Sequence, residues 1–315
     1  MKPRNIDFRA EHGGRVQGLD FSISVNPYQP EWKDEMFHRA RNIADRYVYW
    51  ENLEENLSDL VGEDITVVAG ATEALYLIPI LFPAERALIP QYTYSEYERI
   101  ARFYGFDILK SSNNPLELSE KVERNSIVFF CNPNNPDGRY FPPELLRPLI
   151  DAVEEKDSLL VLDEAFMDFV KGYRTPEGEN IVKLRTFTKS YGMPGVRVGY
   201  ISGFTEHFKK IRMPWSIGSL GYAFLEMLLE DSFRFIEETM PLIWEERKRF
   251  EVFGLKTDSN FFLMKKKGAY EYLRQKGLIV RDCTSFGLKD YIRFSIRKPE
   301  ENDRLIEALY ELREV

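Results

Sequence analysis

Only two cysteines, Cys131 and Cys283, occur in 315 residues, so a disulfide framework is not expected and nothing requires an oxidising compartment. Cys131 closes the apolar run Ile127-Val128-Phe129-Phe130 and is expected in a buried strand. Long apolar runs are missing too. The most apolar long stretch, Leu75 to Ala84, is too short to span a bilayer and contains Pro79 and Pro83. The N-terminal MKPRNIDFRAEHGG is polar and lacks the apolar core of a signal peptide. A cytoplasmic protein without a membrane partner is therefore expected. Basic charge is in deficit, with 43 Lys and Arg against 51 Asp and Glu and a net charge of −8. A nucleic-acid binder usually carries a basic face, so no such partner is expected. An anionic small molecule needs only a few local cations. No metal site is expected.

Apolar residues make up 43% of the chain and charged residues 30%, a globular balance. The length suits one large core and a smaller appended domain. Through the middle, strands and helices alternate. Ile65–Val68 is a β-rich run, followed by Gly70 and a helical stretch from Thr72. Ala87-Leu88-Ile89 is a strand ending at Pro90. Ser95-x-x-Glu98 predicts a capping box, opening a helix that closes at Gly105. Ile127–Cys131 and Leu159–Leu162 read as strands, with a helix over Pro143–Lys156 between them. Continuous apolar strands between helices imply a mostly parallel sheet covered on both faces. After about Gly203 the pattern changes. Helices are expected at about Leu220–Glu230 and Phe233–Phe253, and short strands at Phe261–Met264, Leu278–Val280 and Tyr291–Ile296. A last helix begins at Pro299. The expected division is a large domain over 27–203, with 1–26 and 204–315 forming an N-terminal arm and a small α+β domain.

Four motifs carry chemistry. In Thr186-Phe187-Thr188-Lys189, two hydroxyls precede a lysine, and Arg197 follows between Gly195 and Gly199. A lone lysine is usually a surface residue. Hydroxyls and a guanidinium nearby, however, suit a phosphate dianion. Val68-Ala69-Gly70-Ala71-Thr72 runs from strand to helix, where free N–H groups can bind phosphate. In Leu162-Asp163-Glu164-Ala165-Phe166 an acid ends a buried strand, where α/β sheets place ligands. Asn132-Pro133-Asn134-Asn135-Pro136-Asp137-Gly138 follows another strand end. Each alone could be an ordinary turn or cap.

Their order and spacing together resemble the fold-type I pyridoxal 5'-phosphate (PLP)-dependent aminotransferases, over nearly the whole chain. The resemblance implies a seven-stranded, mostly parallel sheet flanked by helices. It implies that Lys189 joins PLP as a Schiff base and that Asp163 pairs with the ring nitrogen. Asn135 would contact the phenolic oxygen, and Ala71, Thr72, Thr186, Thr188 and Arg197 would hold the phosphate. Tyr94 matches the aromatic residue that stacks on the ring. Members are usually homodimers with shared sites, and Tyr47 matches the tyrosine that reaches the partner's cofactor phosphate.

Two branches fit, histidinol-phosphate aminotransferases and L-threonine-O-3-phosphate decarboxylases. Both imply substrate contacts from Asn26, Arg281 and Arg293. The decarboxylase is resembled by Glu11-His12-Gly13-Gly14 with Leu19-Asp20-Phe21-Ser22, by Arg212–Ile217, and by Tyr291–Arg297. His12 and Gly13 are accordingly expected at the substrate. Phe166 also suits that branch, where many aminotransferases have a tyrosine able to hydrogen-bond the phenolic oxygen. Asp137, Ser24 and Val48-Tyr49 depart from the family pattern. The expected activity is decarboxylation of a small phosphorylated amino compound. A transaminase using 2-oxoglutarate is the alternative, and a PLP-binding regulator without turnover a remote one, since no residues are left over for a DNA-binding domain. Replacing Lys189 with Ala is expected to abolish the borohydride-fixed cofactor adduct, read as the mass gained by the intact protein.

Overall fold

A computed structural model describes residues 13–14 and 17–314. The chain begins with β1 (Leu19–Asp20), α1 (Lys33–Asn42) and α2 (Glu51–Val61). Then come β2 (Ile65–Val68), α3 (Ala71–Leu81), β3 (Arg86–Pro90), α4 (Ser95–Tyr104), β4 (Asp107–Ser111), α5 (Pro115–Ser119) and β5 (Ser126–Cys131). They lead through α6 (Pro143–Glu155), β6 (Leu159–Asp163), β7 (Ile181–Thr186) and α7 (Phe187–Ser190) to β8 (Gly199–Ser202). The remainder holds α8 (Thr205–Ile211), α9 (Ser219–Asp231), α10 (Arg234–Glu251), β9 (Phe261–Lys265) and α11 (Ala269–Gln275). It ends with β10 (Leu278–Ile279), β11 (Arg281–Asp282), β12 (Tyr291–Ser295) and α12 (Pro299–Glu314).

Seven strands form one sheet in the order β2-β8-β7-β6-β5-β3-β4. Only β8 runs against its neighbours, so the sheet is mostly parallel, as expected. Alternate residues of a strand face opposite sides. Ile127 and Phe129 pack with Leu75, Ile78 and Ile100 of α3 and α4, while Val128 and Phe130 meet Leu146, Leu149 and Ile150 of α6. Helices on both faces explain why β5 is apolar at nearly every position.

A second, antiparallel sheet has the order β11-β12-β9. Beside it β1 pairs with β10, so the N-terminal segment joins the C-terminal part of the chain. Phe21, Phe166, Phe169 and Phe261 share one apolar cluster, which couples this sheet to the loop after β6. Among the described residues no helix is long and apolar enough to cross a membrane.

Three features differ from expectation. The helix over 95–104 begins one residue earlier than a capping box with Ser95 as N-cap requires. Tyr94 is its N-cap and gives no side-chain cap, while Glu98 is drawn to Arg102 at 2.7 Å and Lys110 at 2.8 Å. Strand β7 was hidden by charge: Lys183 and Arg185 interrupt its apolar pattern, and Glu63 and Asp168 pair with them at 2.6 and 2.7 Å. Edge strand β4 alternates exposed and partly buried residues over Asp107–Lys110, and helices α1 and α2 give no clear punctuation.

The loop after α7 is laced to the N-terminal segment. Asn26 N–H donates to the Lys189 carbonyl at 2.8 Å, and the Asn26 side chain donates to the Ser190 carbonyl at 2.8 Å. Gly192 makes this approach possible. It has φ +66°, and a Cβ there would stand 2.5 Å from the Tyr28 carbonyl oxygen and 2.6 Å from that of Asn26. Gly192→Ala is expected to cost about 3 kcal/mol from left-handed strain and collision together. The midpoint of urea unfolding checks this.

Candidate active site

The parallel strands deliver their C-terminal ends to one edge of the large sheet. Cys131 is opposite Asp163, and Asp163 is opposite Leu184. Because β8 runs the other way, its first residue, Gly199, lies at the same edge, opposite both Thr186 and Val68. The chain order reverses where β5 and β3 are neighbours, which parts the loops that follow them. A cavity of about 230 Å³ opens at this edge. Among the residues singled out in the sequence, Gly13, Ala71, Thr72, Tyr94, Asn135, Asp163 and Phe166 line it. Thr186, Thr188, Lys189, Arg197, Arg281 and Arg293 complete that set.

Lys189 sits on the single turn α7, directly after β7. Its Nζ lies 5.6 Å from the centre of the Phe166 ring. Burial, together with the Arg293 and Arg197 charges, pulls its amine down from 10.5 to about 8, against the opposing pull of Asp163. Among the described residues, four cations and one carboxylate, Asp163, line the cavity. The pocket therefore favours anions although the whole chain is acidic.

Asp163 is 4% exposed. Burial pushes its carboxyl up, while the Tyr97 hydroxyl, the Ala165 N–H and the Lys189 charge oppose that shift. Tyr97 donates to Oδ2 at 2.7 Å, and the Ala165 N–H donates to Oδ1 at 3.0 Å. Neighbouring Glu164 instead accepts from Thr175 at 2.5 Å, outside the cavity wall. Asn135 accepts from the Arg293 guanidinium through its Oδ1. Phe166 packs edge-on to Phe261 at 5.0 Å, so its ring belongs to the junction of the two sheets.

Opposite these groups the N-terminus of α3 presents its free N–H groups beside Ala71 and Thr72. Tyr94 faces the Thr72 hydroxyl. The Thr186 and Thr188 hydroxyls are 2.9 Å apart, and Thr186 donates to the Val198 carbonyl at 2.9 Å. Arg197 itself adopts φ +58°, with Gly195 and Gly199 on either side of it in the chain. Gly70 has a separate use: a Cβ there would stand 2.6 Å from Arg197 Nη2.

Arg293 and Arg281 are paired across β12 and β11. Arg293 is 7% exposed and donates to Asn135 and, at 2.8 Å, to the Ser22 carbonyl. Among the described residues its Nε has no hydrogen-bond partner. Burial and the neighbouring Arg281 charge pull its guanidinium down to about 10. Arg281 donates to Ser285 Oγ at 2.7 Å, beside Phe286. Gly13 stands against Ser22, whose hydroxyl accepts from Gly14 N–H at 3.0 Å. Ser24 is hydrogen-bonded to Ser295 at 2.9 Å.

Two expected contacts lie elsewhere, and a third is out of view. Asn26 is buried beside the cavity but outside its wall, with its amide committed to Ser190 and Thr239. Tyr47 is 71% exposed and packs on Trp215 at 4.6 Å between ring centres, away from this chain's cavity. His12 lies outside the described residues. The departure at Asp137 has a local account, since its carboxylate accepts from Asn134 at 2.9 Å and from Arg139 N–H at 3.3 Å, closing the turn. Val48 is buried and Tyr49 exposed near Trp215, at 6.5 Å between ring centres.

Sequence reasoning missed Ser22, Ser95, Cys131, Ala165, Pro194 and Phe286 in the wall, and Tyr97 behind it. Cys131 was findable as the last residue of a buried strand. Tyr97 lies three residues after Tyr94, hence on the same helix face. Phe286 carried no signal, because only the fold of 283–287 brings it in.

The family model described as "Aminotransferase class I and II" matches residues 17–309. The chain is 32% identical to histidinol-phosphate aminotransferase 2 of Archaeoglobus fulgidus, covering 93% of each. It is 30% identical to a protein of Caldanaerobacter subterraneus subsp. tengcongensis provisionally named a threonine-phosphate decarboxylase, covering 95% of this chain and 93% of that one. The structure of L-threonine-O-3-phosphate decarboxylase from Porphyromonas gingivalis superposes with a TM-score of 0.79 at 25% identity. That likeness covers 94% of this chain and 100% of the other.

Acylation by an amine reagent follows the neutral fraction of a lysine. Labelling of Lys189 in the cofactor-free protein is expected to be half-maximal near pH 8, where an ordinary lysine requires about 10.5. Peptide mass spectrometry across a pH series measures this midpoint.

Proposed function

Because the chain belongs to the class I and II aminotransferase family, whose members are PLP-dependent enzymes, we propose that it decarboxylates a small phosphorylated amino acid, with L-threonine O-phosphate as the substrate. One observation carries the choice. Of the segments by which the chain resembles the decarboxylase, Gly13-Gly14 and Leu19–Ser22 contribute Gly13 and Ser22 to the cavity wall, and the Ser22 carbonyl accepts from Arg293.

The residues present fit PLP. Gly70 keeps clear the space taken by Arg197, two threonine hydroxyls stand close by, and a buried carboxylate faces a lysine of lowered basicity. In this reading Ala71, Thr72, Thr186, Thr188 and Arg197 hold the phosphate, and Tyr94 covers the ring. Asp163 accepts from the ring nitrogen and Asn135 donates to the phenolic oxygen. Phe166 offers that oxygen no hydrogen bond. Tyr47 would serve a second copy of the chain, which makes the working form a homodimer. We also assign 27–203 to the cofactor-binding domain and the remainder to the small domain with its N-terminal arm. When bound, PLP supplies a sink for the electron pair left on the substrate Cα.

The chain's own residues decide which bond yields that pair. Arg293, buried and already oriented by Asn135 and Ser22, grips one anionic group of the substrate. Arg281, nearer the mouth and held by Ser285, takes the other. A substrate with both carboxylate and phosphate satisfies both arginines. Release of carbon dioxide leaves its bonding pair on Cα, and one proton must be returned there. Lys189 lines that space, and burial keeps its proton easily surrendered. Transamination would instead use Lys189 as the base that removes the Cα proton. The A. fulgidus relative's name supports that second reading.

Product analysis separates the two. With L-threonine O-phosphate and no 2-oxo acid, carbon dioxide and the phosphorylated amino alcohol are expected in equal amounts. Strict dependence on 2-oxoglutarate with glutamate formed, from this substrate or from histidinol phosphate, establishes the transaminase instead.

A further inference from the structure

Behind the cavity wall, Tyr97 is fully buried on α4 and donates its hydroxyl proton to Asp163 Oδ2 at 2.7 Å. Its ring is held on two sides. It stacks on Phe129 at 5.3 Å, with 12° between planes, and meets Tyr94 edge-on at 5.5 Å. The hydroxyl is therefore delivered by a rigid aromatic layer that begins at the cavity wall, where Tyr94 lies. Packing alone does not require it, since a phenylalanine would make the same two ring contacts. The hydroxyl itself is turned to the Asp163 carboxylate, with the Cys131 thiol beside it.

A buried carboxylate without donors prefers its neutral form. Two donors reach Asp163, Tyr97 and the Ala165 N–H. The other titratable groups facing it are Tyr94 at the cap of α4, Cys131 on β5 and Lys189 on α7. Burial raises both Tyr94 and Cys131 and keeps them neutral, so neither supplies positive charge. The Lys189 charge is itself weakened by burial, and in a reacting enzyme the amine changes partners. Tyr97 is the side-chain donor that does not change.

We propose that Tyr97 is a positioning residue whose hydrogen bond keeps Asp163 an ionised and fixed acceptor for the cofactor's ring nitrogen. The inference rests on the assignment of Asp163 to that nitrogen. Without the Tyr97 proton, Asp163 becomes the stronger base and takes up the proton that the ring nitrogen would otherwise hold. The ring nitrogen then loses its proton at lower pH. A merely structural tyrosine would leave that protonation unchanged.

The test uses holoenzyme reconstituted with PLP labelled with 15N in the ring. The 15N chemical shift reports ring protonation directly and needs no turnover. Wild type is expected to show the protonated position, and Asp163→Asn the unprotonated one. Tyr97→Phe is expected to move toward the unprotonated position, with its midpoint lowered and the Kd for PLP raised roughly tenfold, as for loss of a hydrogen bond to a charged group. Movement in Asp163→Asn alone overturns the role of Tyr97 and leaves Asp163 assigned. Movement in neither variant overturns the assignment of Asp163, and the inference with it. Should Tyr97→Phe fail to fold, 3-fluorotyrosine at position 97 keeps the ring and makes the hydroxyl a stronger donor. It is expected to raise the midpoint, and an unchanged midpoint overturns the proposal.

Discussion

A single buried carboxylate facing four cations organises this molecule's chemistry. Asp163 ends β6 at the edge where the parallel strands stop, and among the described residues no other acid lines the cavity. Lys189, Arg197, Arg281 and Arg293 cannot all be neutralised by it. The surplus positive charge has two consequences. It adds to the effect of burial in lowering the basicity of Lys189, and it makes the cavity favourable to anions. An acidic protein thus holds a site for anionic ligands, because charge at a cavity acts locally and is screened over distance.

The sheet supplies the precision. Parallel strands bring Asn135, Asp163 and Thr186 to one edge from separate parts of the chain, and the reversed β8 returns Arg197 to the same edge. Glycine is used where backbone or guanidinium must come close: Gly70 makes room for Arg197, and Gly192 lets the N-terminal segment grip the loop after Lys189. The second layer is equally specific. Asn26 holds backbone carbonyls, Tyr97 holds Asp163, and Asn135 holds Arg293. Side chains fixed in this way lose little further freedom when a ligand arrives.

The two chemistries considered differ in which substituent of Cα is turned toward the electron sink. In the proposed reading that orientation is set by the wall around Gly13, Ser22, Arg281, Phe286 and Arg293, where the N-terminal segment meets the small sheet. Phe166 connects this wall to the cofactor side through its edge-on contact with Phe261. Phe21, Phe166 and Phe261 thus tie the loop after Asp163 to the small sheet through one apolar cluster.

Much of this was legible in the residues. Apolar runs ending in polar motifs identified β2, β3, β5 and β6 and the turns after them, because a strand buried on both faces needs continuous apolar sequence. Thirteen of the residues singled out for cofactor or substrate line the cavity. Strand β7 was obscured, since Lys183 and Arg185 find partners in Glu63 and Asp168 that lie far along the chain. The capping box at Ser95 failed because Glu98 had stronger partners in Arg102 and Lys110. Asn26 moved from a substrate contact to an anchor of the Lys189 loop. The sequence by itself determined the cofactor chemistry, because hydroxyls, arginine, aspartate and lysine in fixed local motifs carry their function with them. Tertiary structure alone decided which donor steadies Asp163 and which segments meet around Arg293, because those contacts join residues that no local spacing relates.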